Sequence, residues 1–485
     1  MKNIVIDIGA SSFRVMLSDY DGKTLSLSEC ARDKTPTVYS GGFLRWDMSK
    51  MGEAIVSAVR SLLSQHDDID SVGVCSFGVD YVYLDGDGKL VDEPISYRDE
   101  GNAKYAKMAL QALDQRTIYG HTGIQFLPFN TAFQLYRDKL IGRHGQRMLL
   151  ISDYIAYLLC GESTNELTGL STGALLDKNT LKPSEAIIEG LGIDGSIFQR
   201  IVRPGETIGC VSGDILPPGS NRRVPVIAVN SHDTSSAVTA LNIHGGSTAF
   251  LSCGSWALLG IKSDNFDVGD EAMEANFTNE LMDDGVCFLK NINGMYLINQ
   301  IYKAMKDIDA SLSFPSSVSS FSEEDDTDVL LDVNDPLFAN PIGIIGKLHD
   351  YLQKTGQRRG GLTFVKLLNS FYRSLCLAVR EEKEKLEAIT GQRIERICLV
   401  GGASAVPVFV DYLASALRCE VLIGPKEATA MGNAMIQISA LNGERMDSLR
   451  EKASDGMAGK PPNAELMKRF DDDYMRLRRL MEDKA

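Results

Sequence analysis

The octapeptide Asp7-Ile8-Gly9-Ala10-Ser11-Ser12-Phe13-Arg14 follows the apolar run Asn3-Ile4-Val5-Ile6 and combines a carboxylate, turn amides, two hydroxyls and a guanidinium. Small residues in such a turn leave backbone N–H groups open to phosphate oxygens. Asp7, at the strand's end, offers a hard oxygen ligand for Mg²⁺, and Ser11, Ser12 and Arg14 offer donors to the γ-phosphate of a nucleotide. The same eight residues also suit an ordinary β-hairpin with a polar loop. A second centre lies at Asn230-Ser231-His232-Asp233-Thr234, after the apolar run Val224-Pro225-Val226-Ile227-Ala228-Val229. There Asp233 can orient a hydroxyl and accept its proton. Equally, it can cap a helix through Ser235-Ser236-Ala237-Val238. A carboxylate so placed gains about 0.3 to 1 kcal/mol from the helix N-terminus and is expected to stay ionised. His232 can hydrogen-bond a substrate hydroxyl. Asp7 competes for the role of base, but its turn suits a metal or phosphate better, and Asp80 is a third carboxylate, read as structural.

Three further segments have the same make-up: Gly73-Val74-Cys75-Ser76-Phe77-Gly78-Val79-Asp80, Ser252-Cys253-Gly254-Ser255-Trp256 and Val400-Gly401-Gly402-Ala403-Ser404. Each follows or interrupts an apolar run, so five strand-end turns recur along the chain and together point to a nucleotide clamp. Strands are expected at 3–6, 14–19, 71–75 and 81–84, with a helix at 49–63 between them, which is α/β alternation. Residues 147–159 read as a helix apolar on more than one face and buried between layers. In the second half, 314–336 reads as an exposed excursion, 362–386 as a long amphipathic helix, 407–417 as another, and 463–484 as a charged helix with a solvated face. Residues 3–17 and 247–259 both run strand, small-residue turn, strand, which suggests an internal duplication. The pair Gly245-Gly246 is a natural hinge, and it sets expected domains of 1–244 and 245–485.

A duplicated strand-turn-strand unit resembles the actin-like ATPases, and within them the chain is similar to the FGGY carbohydrate kinases. The phrases that carry this are Gly9-Ala10-Ser11-Ser12 with Arg14, Gly78-Val79-Asp80, Tyr97-Arg98-Asp99, Gly123-Ile124-Gln125-Phe126-Leu127-Pro128-Phe129-Asn130-Thr131, His232-Asp233-Thr234, Leu289-Lys290-Asn291-Ile292, and Glu427-Ala428-Thr429 with Gly432-Asn433. The resemblance implies a two-domain α/β fold of the actin-like, ribonuclease H-like kind, with ATP and a ketose in the interdomain cleft and Mg²⁺ as cofactor. It implies sugar binding and the base in the first domain and nucleotide binding in the second. Asp233 would be the general base, with Gly78, His232, Thr234 and Asn291 beside it at the sugar. Ala10, Ser11, Ser12, Phe13, Arg14, Ser255, Asn299, Gly401, Gly402 and Ala403 would contact ATP, and Asp7 and Asp233 the metal.

The long run at 123–131 is most similar to family members that phosphorylate L-rhamnulose, with L-fuculose or another deoxyketose or pentulose as the alternative substrate. Two departures stand out. Cys75-Ser76-Phe77 occupies the place of an Asp-Thr-Trp phrase, and Ala403 and Val406 replace a glycine and an Asn, which removes a polar group from the expected adenine pocket. An inactive nucleotide-binding sensor is opposed by the presence of Asp7, Arg14 and Asp233. A polymerising ATPase is opposed by the sugar-side residues at 125–131 and by His232.

A net charge of −15 over 485 residues argues against a nucleic-acid partner. With 44% hydrophobic residues the chain can bury a large core divided into two or three domains. No apolar run approaches a membrane span, and Met1-Lys2-Asn3 leads into a strand without a signal-peptide pattern, so no membrane partner and a cytoplasmic location are expected. Nine scattered cysteines without a Cys-x-x-Cys pair read as reduced, several of them in the core. Assembly is expected to be monomeric or homodimeric.

Overall fold

The computed structural model describes residues 1–243, 247–314, 318–338, 343–357, 362–454 and 457–482; the expected hinge at Gly245-Gly246 lies outside them. The chain divides into two compact units. The first comprises Met1–Asn242, Lys262–Phe288 and Glu427–Asp455, the second Ile243–Ile261, Leu289–Lys426 and Gly456–Ala485.

In the first unit, strands β1 (Lys2–Ile8), β2 (Ser12–Tyr20), β3 (Leu25–Lys34), β4 (Ile69–Ser76), β5 (Thr207–Cys210) and β6 (Pro225–Ile227) form one sheet in the order β5-β6-β4-β1-β2-β3. β1 and β2 are an antiparallel hairpin that sets Asp7 opposite Arg14. β4 runs parallel to β1, and β6 parallel to β4. A central strand must bury both faces, and Ile4, Val5 and Ile6 are all fully buried.

Helix α1 (Met48–Gln65) begins where the Asp47 side chain accepts from the Lys50 amide at 3.0 Å. Its Met51, Ile55, Val59 and Leu62 recur at helical spacing and join the core made by Ile4, Ile6, Val15, Val72 and Val74. Residues 147–159 depart from expectation. Arg147–Leu150 is a strand paired antiparallel with Tyr81–Leu84, and only then does helix α2 (Ile151–Cys160) start. The pairing partner lies far away in sequence, so local apolar periodicity could not separate strand from helix.

Two helices close over the sheet beside the candidate site. They are α3 (Asp233–Thr239) and α4 (Ala428–Asn442). Gln437 of α4 donates to the Ile4 carbonyl at 3.2 Å and accepts from Ser71 Oγ at 2.6 Å, so this late segment is tied to β1 and β4. Gly73 makes room for the contact, since a Cβ there would lie 2.5 Å from Asn433 Oδ1.

The second unit repeats the arrangement. Strands β7 (Thr248–Cys253) and β8 (Trp256–Ser263) form an antiparallel hairpin, and β9 (Gly285–Asn293), β10 (Arg396–Val400), β11 (Glu420–Ile423) and β12 (Gly459–Lys460) extend the sheet in the order β9-β8-β7-β10-β11-β12. β10 is parallel to β7, as β4 is to β1. Hairpin plus parallel neighbour therefore occurs once in each unit, the pattern that the paired sequence segments suggested.

Two expectations in this unit are corrected. The expected excursion at 314–336 is surface chain only in part, because Val329, Leu330, Leu331 and Val333 are buried. Their backbone amides are satisfied from afar, Leu330 by Gln357 Oε1 and Leu331 by Ser374 Oγ, which lets an irregular segment run through a core. The terminal helix Ala464–Glu482 is not a wholly solvated face either. It buries Phe470, Asp473, Tyr474 and Leu477, with Asp473 held at 2.5 Å by the buried guanidinium of Arg373 on Phe364–Thr390.

Among the described residues no helix is long and apolar enough to cross a membrane. All nine cysteines are free; Cys376 and Cys398 are buried and Cys160 is half-buried.

Candidate active site

The β1–β2 hairpin presents the first turn. Asp7 and Arg14 face each other across the ladder, and Arg14 Nη2 lies 2.5 Å from Asp7 Oδ2 while Nη1 bonds Glu427 just before α4. Both terminal nitrogens of Arg14 are thereby engaged by carboxylates, so this half-buried side chain is a strut as it stands. Burial disfavours its charge, but the two carboxylates outweigh that and hold it firmly protonated. Asp7 is pushed upward by burial; Arg14 opposes the push and Glu427 adds to it.

Ser11, at the tip of the turn, is exposed, and Arg98 Nη2 reaches its Oγ at 3.4 Å. The Arg98 guanidinium lies 5.7 Å from the Trp46 ring centroid and 5.6 Å from that of Tyr97. Phe13, by contrast, is buried in the core cluster under β1, so only its backbone faces the turn.

The second centre forms where β6 runs out. His232 pairs with Ser76 across a parallel bridge, and the next residue, Asp233, opens α3. His232 occupies the N-cap position and no side chain caps the helix. The capping role considered for Asp233 is thus absent. Its Oδ1 accepts instead from Thr234 Oγ1 at 3.2 Å and lies 3.4 Å from His232 Nε2.

Burial is the main influence on Asp233 and raises its proton affinity; His232 lowers it, and the nearby Asp7 charge raises it again. About a third of the side chain (35%) remains open, so solvent softens the effect. The expectation of an ordinary, helix-stabilised carboxylate is corrected on this point.

His232 is the more enclosed partner. Its Nδ1 lies 3.0 Å from Glu280 Oε2 on the strand Thr278–Met282. Burial disfavours the imidazolium, yet Glu280, then Asp233 and Glu166, outweigh it and raise the group to about 9. Below the turn, Glu166 accepts from the Ser231 hydroxyl at 2.5 Å and from the Thr168 hydroxyl at 2.6 Å, which anchors the residue preceding His232.

Gly78 and Asp80 support this centre. A Cβ on Gly78 would lie 2.7 Å from Thr172 Oγ1, so the glycine is required by packing. Val79 adopts φ +70°, a strained conformation for a β-branched residue, and its carbonyl is held by Thr131 Oγ1 at 2.7 Å. Asp80 is buried and accepts from Trp46 Nε1 at 2.6 Å, the Tyr97 amide at 2.8 Å and Gln134 Nε2 at 2.7 Å. Its burial outweighs these bonds and raises it to about 6. Trp46, Phe77, Tyr97 and Phe129 form a continuous aromatic wall with centroids 4.9 to 5.8 Å apart along the chain of contacts.

In the second unit, the β7–β8 turn, the β10 turn and one helix start converge. The Gly254 carbonyl accepts from the Met295 amide at 2.9 Å and the Ser255 carbonyl from the Tyr296 amide at 3.1 Å, placing that turn at the head of Tyr296–Ile308, the helix that carries Asn299. Gly401 has φ +86°, and a Cβ there would strike the Cys253 carbonyl at 2.6 Å. Gly402 and Gly254 have open space instead. Ala403 is buried and Val406 stands at the N-cap of Pro407–Leu417, so neither offers a polar side chain to the turn. Asn291 lies on β9.

The first unit thus brings Asp7, Arg14, His232, Asp233 and Thr234 into one region, and the second gathers Ser255, Asn299 and Gly401 to Ala403. Glu280 and Glu427 are close charged partners to which the sequence reading gave no role. The sequence signal available for Glu280 is the single acid in the short run Thr278–Met282, a strand buried along its whole length. No group of three or more His, Cys, Asp or Glu residues suited to a metal occurs among the described residues. Mg²⁺ usually takes one or two carboxylates together with substrate phosphates, so the repelling pair Asp7 and Asp233 fits such an ion.

Residues 3–240 match the N-terminal domain of the FGGY family of carbohydrate kinases, and residues 249–441 match its C-terminal domain. Among curated proteins, the chain is 31% identical over 453 residues to a rhamnulokinase from Bacteroides thetaiotaomicron, covering 91% of each. It is 32% identical over 451 residues to a rhamnulokinase from Enterococcus faecalis, covering 92% of this chain and 90% of that one. Its fold is similar to a ligand-bound xylulose kinase from Lactobacillus acidophilus, with TM-score 0.79, 14% identity and coverage of 99% and 98%. It is also similar to a Plasmodium falciparum glycerol kinase with ADP, with TM-score 0.71, 13% identity and 98% coverage of both chains.

Proposed function

The chain belongs to the FGGY family of carbohydrate kinases, and from that premise we propose that it transfers the γ-phosphoryl group of ATP to a hydroxyl of L-rhamnulose, giving L-rhamnulose 1-phosphate and ADP. The observation that carries the reading is Asp233. It is a partly open carboxylate at the mouth of a buried polar turn, beside an imidazole that favours its ionised form.

A sugar hydroxyl is a weak nucleophile at neutral pH. Asp233 would hold the hydroxyl and take its proton as the new oxygen–phosphorus bond forms and the bond to the β-phosphate oxygen breaks. His232 would fix the sugar through a hydrogen bond, with Thr234 beside it and Gly78 and Asn291 also at the sugar. Tyr97 and Phe129, the partly exposed rings of the aromatic wall, would offer an apolar surface for the 6-deoxy end of the substrate. The backbone of Ala10 to Phe13 and the hydroxyls of Ser11 and Ser12 would receive phosphate oxygens, while Arg14 would act by holding Asp7 in place. Ser255, Asn299 and Gly401 to Ala403 would receive the nucleotide, with Gly402 open to its approach. Asp7 and Asp233 would hold Mg²⁺, which when bound supplies neutralising charge to the phosphates.

The deciding experiment is a coupled ADP-release assay with Mg²⁺-ATP against L-rhamnulose, L-fuculose, L-ribulose and D-xylulose, run beside Asp233→Asn. Sugar-dependent turnover highest on L-rhamnulose and reduced about 10² to 10⁴-fold in the variant is expected. Background ADP release with every sugar would overturn the reading.

A further inference from the structure

His232 Nδ1 and Glu280 Oε2 lie 3.0 Å apart as an ion pair, outside the alignment of a hydrogen bond, and neither atom hydrogen-bonds any described residue. Both side chains are nearly enclosed, 11% and 7% exposed. A buried carboxylate with no other partner costs several kcal/mol unless a cation or donor meets it, so a polar strand residue in this position needs a specific reason. The opposite ring nitrogen, Nε2, points toward Asp233, with Oδ1 3.4 Å away. The imidazole is therefore gripped on one edge and presents the other beside the most open carboxylate of the cluster. With both ring nitrogens protonated, a carboxylate held at Nδ1 fixes the orientation of the ring, and with it the direction in which Nε2–H points.

We propose that Glu280 is a positioning residue for the sugar: it fixes the His232 ring so that Nε2–H is aimed at a hydroxyl of the acceptor beside Asp233. Glu280 touches neither substrate nor reacting atoms and acts through His232 alone. The inference deepens the kinase reading above and rests on it.

The test is a cycle of Glu280→Leu, His232→Ala and the double variant, with Glu280→Gln added as an isosteric replacement that keeps an acceptor oxygen. In Glu280→Leu the KM for the sugar is expected to rise about tenfold, the factor that 1.4 kcal/mol supplies, with the KM for ATP unchanged. Glu280→Gln is expected to recover most of that loss. In the His232→Ala background, Glu280→Leu is expected to add nothing, since the two changes remove one interaction. A structural role would instead lower the folded fraction while leaving the sugar KM of the folded enzyme unchanged. Equal losses toward sugar and ATP, or additive effects in the cycle, would overturn the inference.

Should the unmodified chain phosphorylate no ketose, the kinase reading fails while the ring contact remains measurable without substrate. A protected Nδ1–H proton resonance from His232 is expected by nuclear magnetic resonance in the unmodified protein and in Glu280→Gln. Its persistence in Glu280→Leu would overturn the positioning role independently of activity. Should Glu280→Leu not fold, Glu280→Gln decides alone, through retention or loss of that resonance.

Discussion

Arg14 bonds Glu427 across 413 positions of sequence, while its other terminal nitrogen holds Asp7 at 2.5 Å. One guanidinium thus joins the first hairpin to the head of α4 within the first unit. Replacing it by Leu would leave Asp7, only 10% exposed, as an uncompensated buried carboxylate. Losing one partner of a buried pair costs about 3 to 5 kcal/mol. Arg14→Leu is therefore expected to shift the urea midpoint strongly, whereas Glu427→Gln, which keeps an acceptor and is 28% exposed, should cost only about 1 kcal/mol. Equal midpoints for the two variants would refute the strut.

Asp153 couples the stability of the fold to pH. Burial, and then the neighbouring Glu166, raise this carboxyl to about 8, against Asn165 and backbone donors that lower it. A raised acid binds its proton more tightly in the folded state. Its contribution to stability is thus fully present below about pH 4 and is lost as pH climbs toward 8, by at most about 1.4 kcal/mol per unit. Asp153→Asn cannot ionise. Melting scans should show the unmodified protein losing stability relative to the variant between about pH 5 and 8; parallel curves would contradict the shift.

The glycines of the second unit separate packing from access. Gly401 has φ +86° and faces the Cys253 carbonyl at 2.6 Å from an added Cβ, so Gly401→Ala should destabilise the unit by more than 1 kcal/mol. Gly402 meets nothing within 4 Å. Gly402→Ala should leave the melting curve unchanged and raise the KM for ATP several-fold if the nucleotide lies against that backbone. A changed melt with an unchanged KM would reverse the assignment.

These contrasts show what the sequence could disclose. Turns at strand ends are local events, so Gly9 to Arg14, His232-Asp233 and Gly401-Gly402 were readable from small residues after apolar runs. Strands whose partner lies elsewhere were not, as Arg147–Leu150 shows: only its pairing with Tyr81–Leu84 distinguishes it from the helix that follows. Burial of the segment around Leu331 was hidden for a similar reason, because its amides are met by Gln357 and by Ser374 on the helix Phe364–Thr390, both later in the chain. The acid partners of the site were the least legible. Glu280 and Glu427 gain their meaning only when folding sets them against His232 and Arg14, and spacing alone carries no trace of such pairs.

A close approach of two helices fixes the Asp233 turn. Gly432 of α4 lies so close to α3 that a Cβ would come within 1.8 Å of the Ser236 carbonyl oxygen and 2.8 Å of its carbon. The obstacle is backbone, so no side-chain rotation can relieve it. Two hydrogen bonds hold the helices at this distance, Ser236 Oγ to the Thr429 carbonyl at 2.9 Å and Thr429 Oγ1 to the Asp233 carbonyl at 3.4 Å. Gly to Ala inside a helix ordinarily gains up to about 1 kcal/mol. Overpacking costs about 1 to 3 kcal/mol even where side chains can yield, and more where they cannot, so the clash outweighs the propensity. Gly432→Ala should therefore lower the melting temperature. Because α3 begins at Asp233, the displacement should also reduce kcat in whatever fraction remains folded, measured after active-site titration. A variant as stable and as active as its parent would show that α3 and α4 can part without disturbing the carboxylate.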